Sequence, residues 1–179
     1  RFAMMEKLAD HDDALMEQLL SDMEPPRDVV FSDLARELAD GLITPVLFGS
    51  AEHGNGVGRL LKALRHEVPD VAVTAKRLGL KTNNGTTGLV LKTFHTAHGG
   101  KLSLTRILSG EVADGTVFYG GQGQDSRTAG VFTLLGSTPT KIAKASAGDT
   151  VALGRLDNIA TGETISSSKG NAPQLVDVP

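Results

Sequence analysis

Residues 100–110 read Gly100-Lys101-Leu102-Ser103-Leu104-Thr105-Arg106-Ile107-Leu108-Ser109-Gly110, and this stretch decides the fold. Apolar and polar side chains alternate from Leu102 to Leu108, the period of a β-strand with one buried face. Leu89–Phe94 alternates in the same way just upstream, and His98-Gly99-Gly100 joins the two. Glycines at that point permit the positive φ that a tight hairpin needs. Downstream, turn signals recur at Ser109-Gly110, Asp114-Gly115, Gly120-Gly121, Ala147-Gly148-Asp149 and Thr161-Gly162. Thr116–Tyr119, Thr128–Leu135, Thr150–Leu153 and Glu163–Ile165 fit between them as strands. Short strands punctuated this regularly predict an all-β barrel or sandwich over roughly 87–166.

The first 69 residues follow a different period. Met5, Leu8, Leu15, Met16, Leu19 and Leu20 recur at spacings of three, four and seven, the mark of one apolar helix face. Pro25 and Pro26 end that segment, because proline cannot donate to a helix and disfavours a helical residue before it. Ser32 then reads as an N-cap, with Leu34 and Leu38 following and a stop at Gly41. Ile43–Phe48 is a short apolar run between helical segments, which predicts a buried strand of a parallel sheet. Beyond the polar loop 50–56, a helix is expected from Val57 to Pro69. The expectation is therefore an α+β chain. A partial α/β piece (helices and one strand, 1–69) is followed by a linker or first edge strand (70–86). A Greek-key-like barrel (87–166) and a tail leading to a further segment (167–179) complete it.

Composition bounds the function. Of 179 residues, 40% are hydrophobic and 22% charged, which is globular rather than disordered. The chain has no cysteine, so disulfides and thiolate metal sites are excluded, in keeping with a reducing compartment. No apolar stretch is long enough to span a bilayer as a helix. Nor does the opening read as a signal peptide: it begins at Arg1, and Asp10, Asp12 and Asp13 interrupt it. An arginine start suits a piece of a longer polypeptide. The net charge of −3 hides a division, because residues 1–70 carry −7 and residues 71–179 carry +4. Two modules with different partners would produce that change of sign. The basic excess permits phosphate contacts without demanding them.

Two stretches resemble the elongation factor G family of translational GTPases. Ile43-Thr44-Pro45-Val46-Leu47-Phe48-Gly49-Ser50-Ala51, with Gly54-Asn55-Gly56-Val57, is similar to the last strand and guanine-contacting loop of its nucleotide domain. The 100–110 stretch resembles the hairpin of its second domain, and Ala147-Gly148-Asp149 and Thr161-Gly162-Glu163-Thr164 follow in the family's order. The opening helix with Asp12-Asp13 resembles the helical insert before that last strand. The resemblance implies a cytoplasmic parent protein that binds GTP with Mg²⁺ and acts on the ribosome in translocation or recycling. It implies a second-domain barrel that contacts small-subunit ribosomal RNA and packs on the nucleotide domain. Glu52 and His53 in the loop, His98-Gly99-Gly100 at the hairpin, and few basic residues over 121–127 depart from the family pattern and imply a diverged paralogue.

The sequence holds no Gly-rich phosphate loop ending in Lys and Ser/Thr, no Asp-x-x-Gly and no Asn-Lys-x-Asp. Without those amides and that lysine nothing cradles phosphates or presents Mg²⁺, so this piece alone is expected to be inactive on GTP, with no catalytic residue of its own. Ser50 and Ala51 are the guanine-binding residues the resemblance implies, Ala51 through its main chain and Ser50 by supporting the turn. Lys101, Arg106 and Arg127 are the candidate ribosomal RNA contacts, with scattered surface charge as the competing account. Tyr119 is the lone tyrosine and tryptophan is absent, which disfavours a base-stacking platform. His95 and His98 flank a turn without a third ligand nearby, so no metal is expected. Ser166 and Lys169 have the spacing of a Ser-x-x-Lys pair but sit in a Ser-rich linker rather than a helix. Two rival readings stay open: a free-standing barrel that binds a protein or small ligand, and another translational GTPase, of release or ribosome-protection type.

Overall fold

The computed structural model describes residues 2–80, 85–96, 100–121 and 123–170. The chain divides into two compact units, residues 1–69 and 70–179. His98, Gly99 and the segment at Gln174–Val178 lie outside the described residues.

In the first unit, α1 (Phe2–Ala9) and α2 (Asp13–Leu20) replace the single opening helix. The break falls at Asp12, whose side chain accepts hydrogen bonds from Ala14 N and Leu15 N, both at 3.0 Å, and so starts a new helix. After the two prolines comes α3 (Arg27–Asp40), with Pro26 in the N-cap position at φ −54° and ψ 144°. Ser32, expected to cap this helix, lies inside it instead. The fixed φ of proline starts a helix one and a half turns earlier than the serine would. Gly41, at φ 74°, ends α3 in the left-handed conformation, as its position predicts. Met5, Leu8, Ala9, Leu15 and Val30 form the core, with Met16, Leu19, Leu34 and Ile43 against it.

The run Ile43–Phe48 has no regular secondary structure and pairs with no strand among the described residues, and Val46 and Phe48 are 72% and 89% exposed. The predicted strand of a parallel sheet is therefore corrected to an unpaired segment. A strand exists only through its neighbours, and no backbone hydrogen bond reaches this run among the described residues. The helix that follows, α4 (Val57–His66), buries none of its residues, and Leu60, Leu61 and Leu64 are exposed.

The second unit opens with α5 (Val71–Arg77), where a linker or edge strand was expected. Asp70 caps it by accepting from Val73 N at 2.9 Å, and Ala75 is fully buried. Among the described residues ten strands follow: β1 (Thr87–Thr96), β2 (Gly100–Ser109), β3 (Glu111–Ala113), β4 (Val117–Tyr119), β5 (Asp125–Arg127), β6 (Val131–Leu135), β7 (Thr138–Ile142), β8 (Lys144–Ser146), β9 (Thr150–Gly154) and β10 (Thr164–Ser166). Eight form a curled antiparallel sheet in the order β5-β4-β10-β1-β2-β9-β6-β7, and β3 pairs with β8. Gly110, at φ 72°, bends the chain between β2 and β3, and a Cβ there would lie 2.8 Å from Thr86 Cα. First and last strands are neighbours, since Thr87, Gly88 and Leu89 pair with Ser166, Ile165 and Thr164. The fold class is thus α+β, helices followed by a second-unit half-barrel.

Alternation places Ser103, Thr105 and Ile107 on one face of β2, and Ile107 joins the core with Val90, Val112, Phe118, Val131, Val151, Leu153, Leu156, Ile159 and Ile165. The inward face of β2 is therefore largely hydroxylic, Ser103 and Thr105 both being fully buried. Leu102 and Leu104 take the opposite face, and α5 packs against this strand. That is why residues 71–77 fold as a helix. An apolar outer face on β2 requires a cover that a linker does not supply.

Asp33 and Glu37 on α3 are 7% and 0% exposed, and neither Glu37 carboxylate oxygen has a hydrogen-bond partner. Arg36 bonds Asp33 and, at 2.9 Å, Asp12, and stands 4.0 Å from Glu37. Loss of solvent raises both buried carboxyl groups above the usual carboxylate range; the charge of Asp12 adds to this at Asp33 and the charge of Asp33 adds to it at Glu37, while Arg36 opposes both. Asp12 is held low by its bonds to Leu15 N and Arg36. A raised folded-state pKa contributes stability at low pH that is lost as pH rises through it; the lowered Asp12 acts in reverse. Protection of α3 amides should therefore increase as pH falls toward the ordinary carboxylate pKa of about 4, and fall again in stronger acid as Asp12 takes up its proton. Glu37→Gln should stabilise the helical unit by about 1 kcal/mol at pH 7 and flatten that rise, as native-state hydrogen exchange would read.

Candidate functional site

The loop between the unpaired run and α4 is closed on itself. Ser50 N donates to Asn55 O at 2.8 Å, and Gly54 N to Ala51 O at 3.3 Å. Gly49 and Gly56 touch across its neck: a Cβ on Gly49 would lie 2.7 Å from Asn55 O, and one on Gly56 2.9 Å from Gly49 Cα. Gly56 also stands at φ 77°, so both positions admit only glycine without a backbone shift. The result is a tight loop with Ala51 on its exposed rim and α4 starting directly behind it. Ser50 is spent on holding the neck. Ala51 N has no hydrogen-bond partner among the described residues, so its N–H is available to a carbonyl oxygen. The sequence carries no Gly-rich phosphate loop, Asp-x-x-Gly or Asn-Lys-x-Asp beside it.

The three cations singled out on the barrel do different things. Lys101 Nζ donates to Ile159 O and, at 3.2 Å, to Asp157 O, which fastens the loop after β9 to the start of β2. Arg106 donates to Gly148 O and lies 3.3 Å from Thr150 Oγ1, tying the β8–β9 turn to the middle of β2. Both are half-buried. Arg127, on β5, is exposed and donates only Nε, to Gly115 O at 3.2 Å. The three are not brought together: Lys101 sits at the start of β2 and Arg106 five residues further along it, and β5 lies at the far edge of the sheet.

What gathers around Arg127 instead is a shallow cleft lined by Asp114, Gly115, Thr128, Ala129 and Arg155. Arg155 was not foreseen. It follows Gly154 at the end of β9, and nothing in its local sequence marks it. Its distinguishing feature is a backbone φ of 58°, a positive value shared among non-glycine residues only by Asp22 within the described residues. No three His, Cys, Asp or Glu side chains among the described residues are grouped to hold a metal ion. No described helix is long and apolar enough to cross a membrane.

Residues 85–168 match the family described as elongation factor G domain 2. These residues belong to the elongation factor G family, as its second domain. An elongation factor G-like protein of Synechocystis sp. is 41% identical over 170 residues, covering 94% of this chain and 24% of that protein. Elongation factor G 2 of Syntrophomonas wolfei is 30% identical over 180 residues, covering 93% of this chain and 26% of its own length. A crystal structure of a Thermus thermophilus protein superposes with a TM-score of 0.74 at 19% identity, over 98% of this chain and 26% of that one, a likeness of fold. The chain spans about a quarter of the length of the curated relatives it matches.

Within this elongation factor G second domain, the geometry assigns Lys101 a structural task. Replacing it with methionine keeps the stem and removes the donor, leaving two carbonyls short of a partner. Lys101→Met should destabilise the barrel by about 1–2 kcal/mol. Urea denaturation would show this as a lower midpoint at unchanged slope. A variant as stable as the parent would return Lys101 to the pool of free surface cations.

Proposed function

We propose that the chain is an interior piece of a GTP-dependent translation factor acting on the ribosome, the barrel serving as a docking and interdomain element. The observation that carries this reading is the elongation factor G second-domain match over 85–168, embedded in an alignment to an elongation factor G-like protein across 94% of the chain. In the complete cytoplasmic protein, GTP and Mg²⁺ would be held mainly by segments outside this sequence. Ala51 would add a main-chain N–H to the guanine, with Ser50 bracing the loop through its 2.8 Å bond to Asn55 O. The barrel would meet small-subunit ribosomal RNA through basic side chains, a contact that is electrostatic and salt-sensitive. Arg127 is the one of the three candidates whose terminal guanidinium nitrogens are not already engaged with the chain's own carbonyls.

The unpaired run Ile43–Phe48 and the bare face of α4 support the same reading. They are the edge and cover of a sheet whose other strands belong to the longer protein. A free-standing barrel module has no use for such an edge.

The test uses the full-length protein. Ribosomes should raise its GTP turnover over the intrinsic rate by one or more orders of magnitude, as stimulation of other GTPases by their activating partners does. Equal turnover with and without ribosomes, in a protein that binds GTP, would overturn the proposal in favour of a GTPase with another partner.

A further inference from the structure

We propose that Asn55, in the neck of the Ser50–Gly56 loop, is a site of spontaneous covalent modification: the main-chain nitrogen of Gly56 displaces its side-chain amide, and hydrolysis leaves an isoaspartate. The modification rests on the loop's own geometry. Only its effect on a nucleotide rests on the reading of the loop as guanine-contacting.

Asparagine amides are chemically labile, and at Asn55 the reacting groups are open. Its side chain is exposed and makes no hydrogen bond among the described residues, so it turns against Gly56 far faster than any slow covalent step. The N–H of Gly56 also has no partner among the described residues, and glycine carries no Cβ to shield it. The peptide unit between them is polarised, because Asn55 O accepts from Ser50 N at 2.8 Å. When Gly56 N gives up its proton, negative charge spreads onto that oxygen, where a fixed donor already stands. Asn158 has the opposite arrangement. Its Nδ2 donates to Asp125 O at 3.1 Å, and the next N–H, that of Ile159, donates to Leu156 O at 3.2 Å.

The step needs only water. Gly56 N attacks Asn55 Cγ, and the new C–N bond closes a five-membered imide. The proton that Gly56 N gave up returns through water to the leaving nitrogen, which departs as ammonia. A water molecule then opens the imide. Opening at Cγ gives aspartate with the main chain as before. Opening at the main-chain carbonyl carbon routes the chain through Cβ and Cγ, and the former main-chain carbonyl becomes a free carboxylate.

That carbonyl is the acceptor that closes the neck. There is no room for the extra backbone carbon, since a Cβ on Gly49 would already lie 2.7 Å from Asn55 O and one on Gly56 2.9 Å from Gly49 Cα. The isoaspartate therefore opens the loop. It also adds a negative charge to a loop that already carries Glu52 and presents the N–H of Ala51.

The test ages the 179-residue chain in mildly alkaline heavy-oxygen water, folded or in urea, and follows the tryptic peptide Glu37–Arg59 by mass spectrometry. Asn55 should convert in the folded chain less than about tenfold more slowly than in urea, while Asn158 stays intact. A larger lag would mean that the reaction waits for the loop to unfold, and would overturn the proposal. Asn55→Gln, which would need a six-membered ring, should leave the peptide unlabelled. Equal labelling there would place the chemistry at Asp40-Gly41 and sink the assignment. Amide exchange read by NMR should show Ser50 N–H losing protection as isoaspartate accumulates, and keeping it in Asn55→Asp, which has the charge without the extra carbon. Unchanged Ser50 protection in the isoaspartate form would overturn the opening of the neck. In the full-length protein, ageing should weaken GDP binding about two- to tenfold, the loss of one hydrogen bond, and should not do so in Asn55→Gln. Conversion without that loss would overturn the guanine reading of the loop and leave the modification standing.

Discussion

The pairing of β1 with β10 is the constraint on which the second unit depends. Thr86 N donates to Ser167 Oγ across 81 residues of sequence, and Thr87–Leu89 pair with Ser166–Thr164 directly beside it. Closing a segment of that length costs chain entropy before any contact repays it. The compensation comes from Val90, Ile107 and Ile165, which the pairing brings into one core. Every cleft and turn described on the barrel is placed by that closure: β2 and β9 hang from one side of β1, and β4 and β5 from the other side of β10.

Charge on this barrel is divided between inner work and outward presentation. Half-buried Lys101 and Arg106 satisfy carbonyls of turns that no ladder reaches. Glu111 is paired with Lys144 at 3.1 Å across the β3–β8 sheet, and its carboxyl is held low by that lysine. Basic residues of one composition thus fall into opposite roles, and which role a residue takes is decided by whether an orphan carbonyl lies within reach. The excess of +4 over 71–179 therefore overstates the charge available to a partner.

The barrel's main strands were legible because alternation and turn glycines act locally. Leu102–Leu108 and Thr150–Leu153 read as strands and are strands, and Gly110, Gly115, Gly148 and Gly162 all take positive φ. Three readings failed for reasons that sequence does not carry. Ile43–Phe48 has the composition of a strand, but a strand needs a partner and none is at hand among the described residues. Residues 71–77 looked like a linker because the need for a cover over β2 appears only once the sheet exists. Short β3, β5, β7 and β8 went unread, being three to five residues long with mixed polarity. Of the site, the Ser50–Gly56 loop was visible through its glycines. Arg155 was not, because a cleft and a left-handed φ are properties of the folded chain.

One consequence of the closure is mechanical. Thr87 and Ser166 are paired at the end of β1 and β10 where the chain enters and leaves the barrel. Tension between flanking segments of a longer protein would load that pair first and peel the strands apart one hydrogen bond at a time, rather than shear them all at once. Peeling is the weaker geometry, since the whole force falls on a single bond. The hydroxyl contacts clustered at that point act as a latch: Ser167 Oγ on Thr86 N, Ser109 Oγ on Gly85 O, and Thr86 Oγ1 on Glu111 O. The serines after β10 are then more than a polar exit. They set how much pull between its neighbours the barrel withstands before it opens.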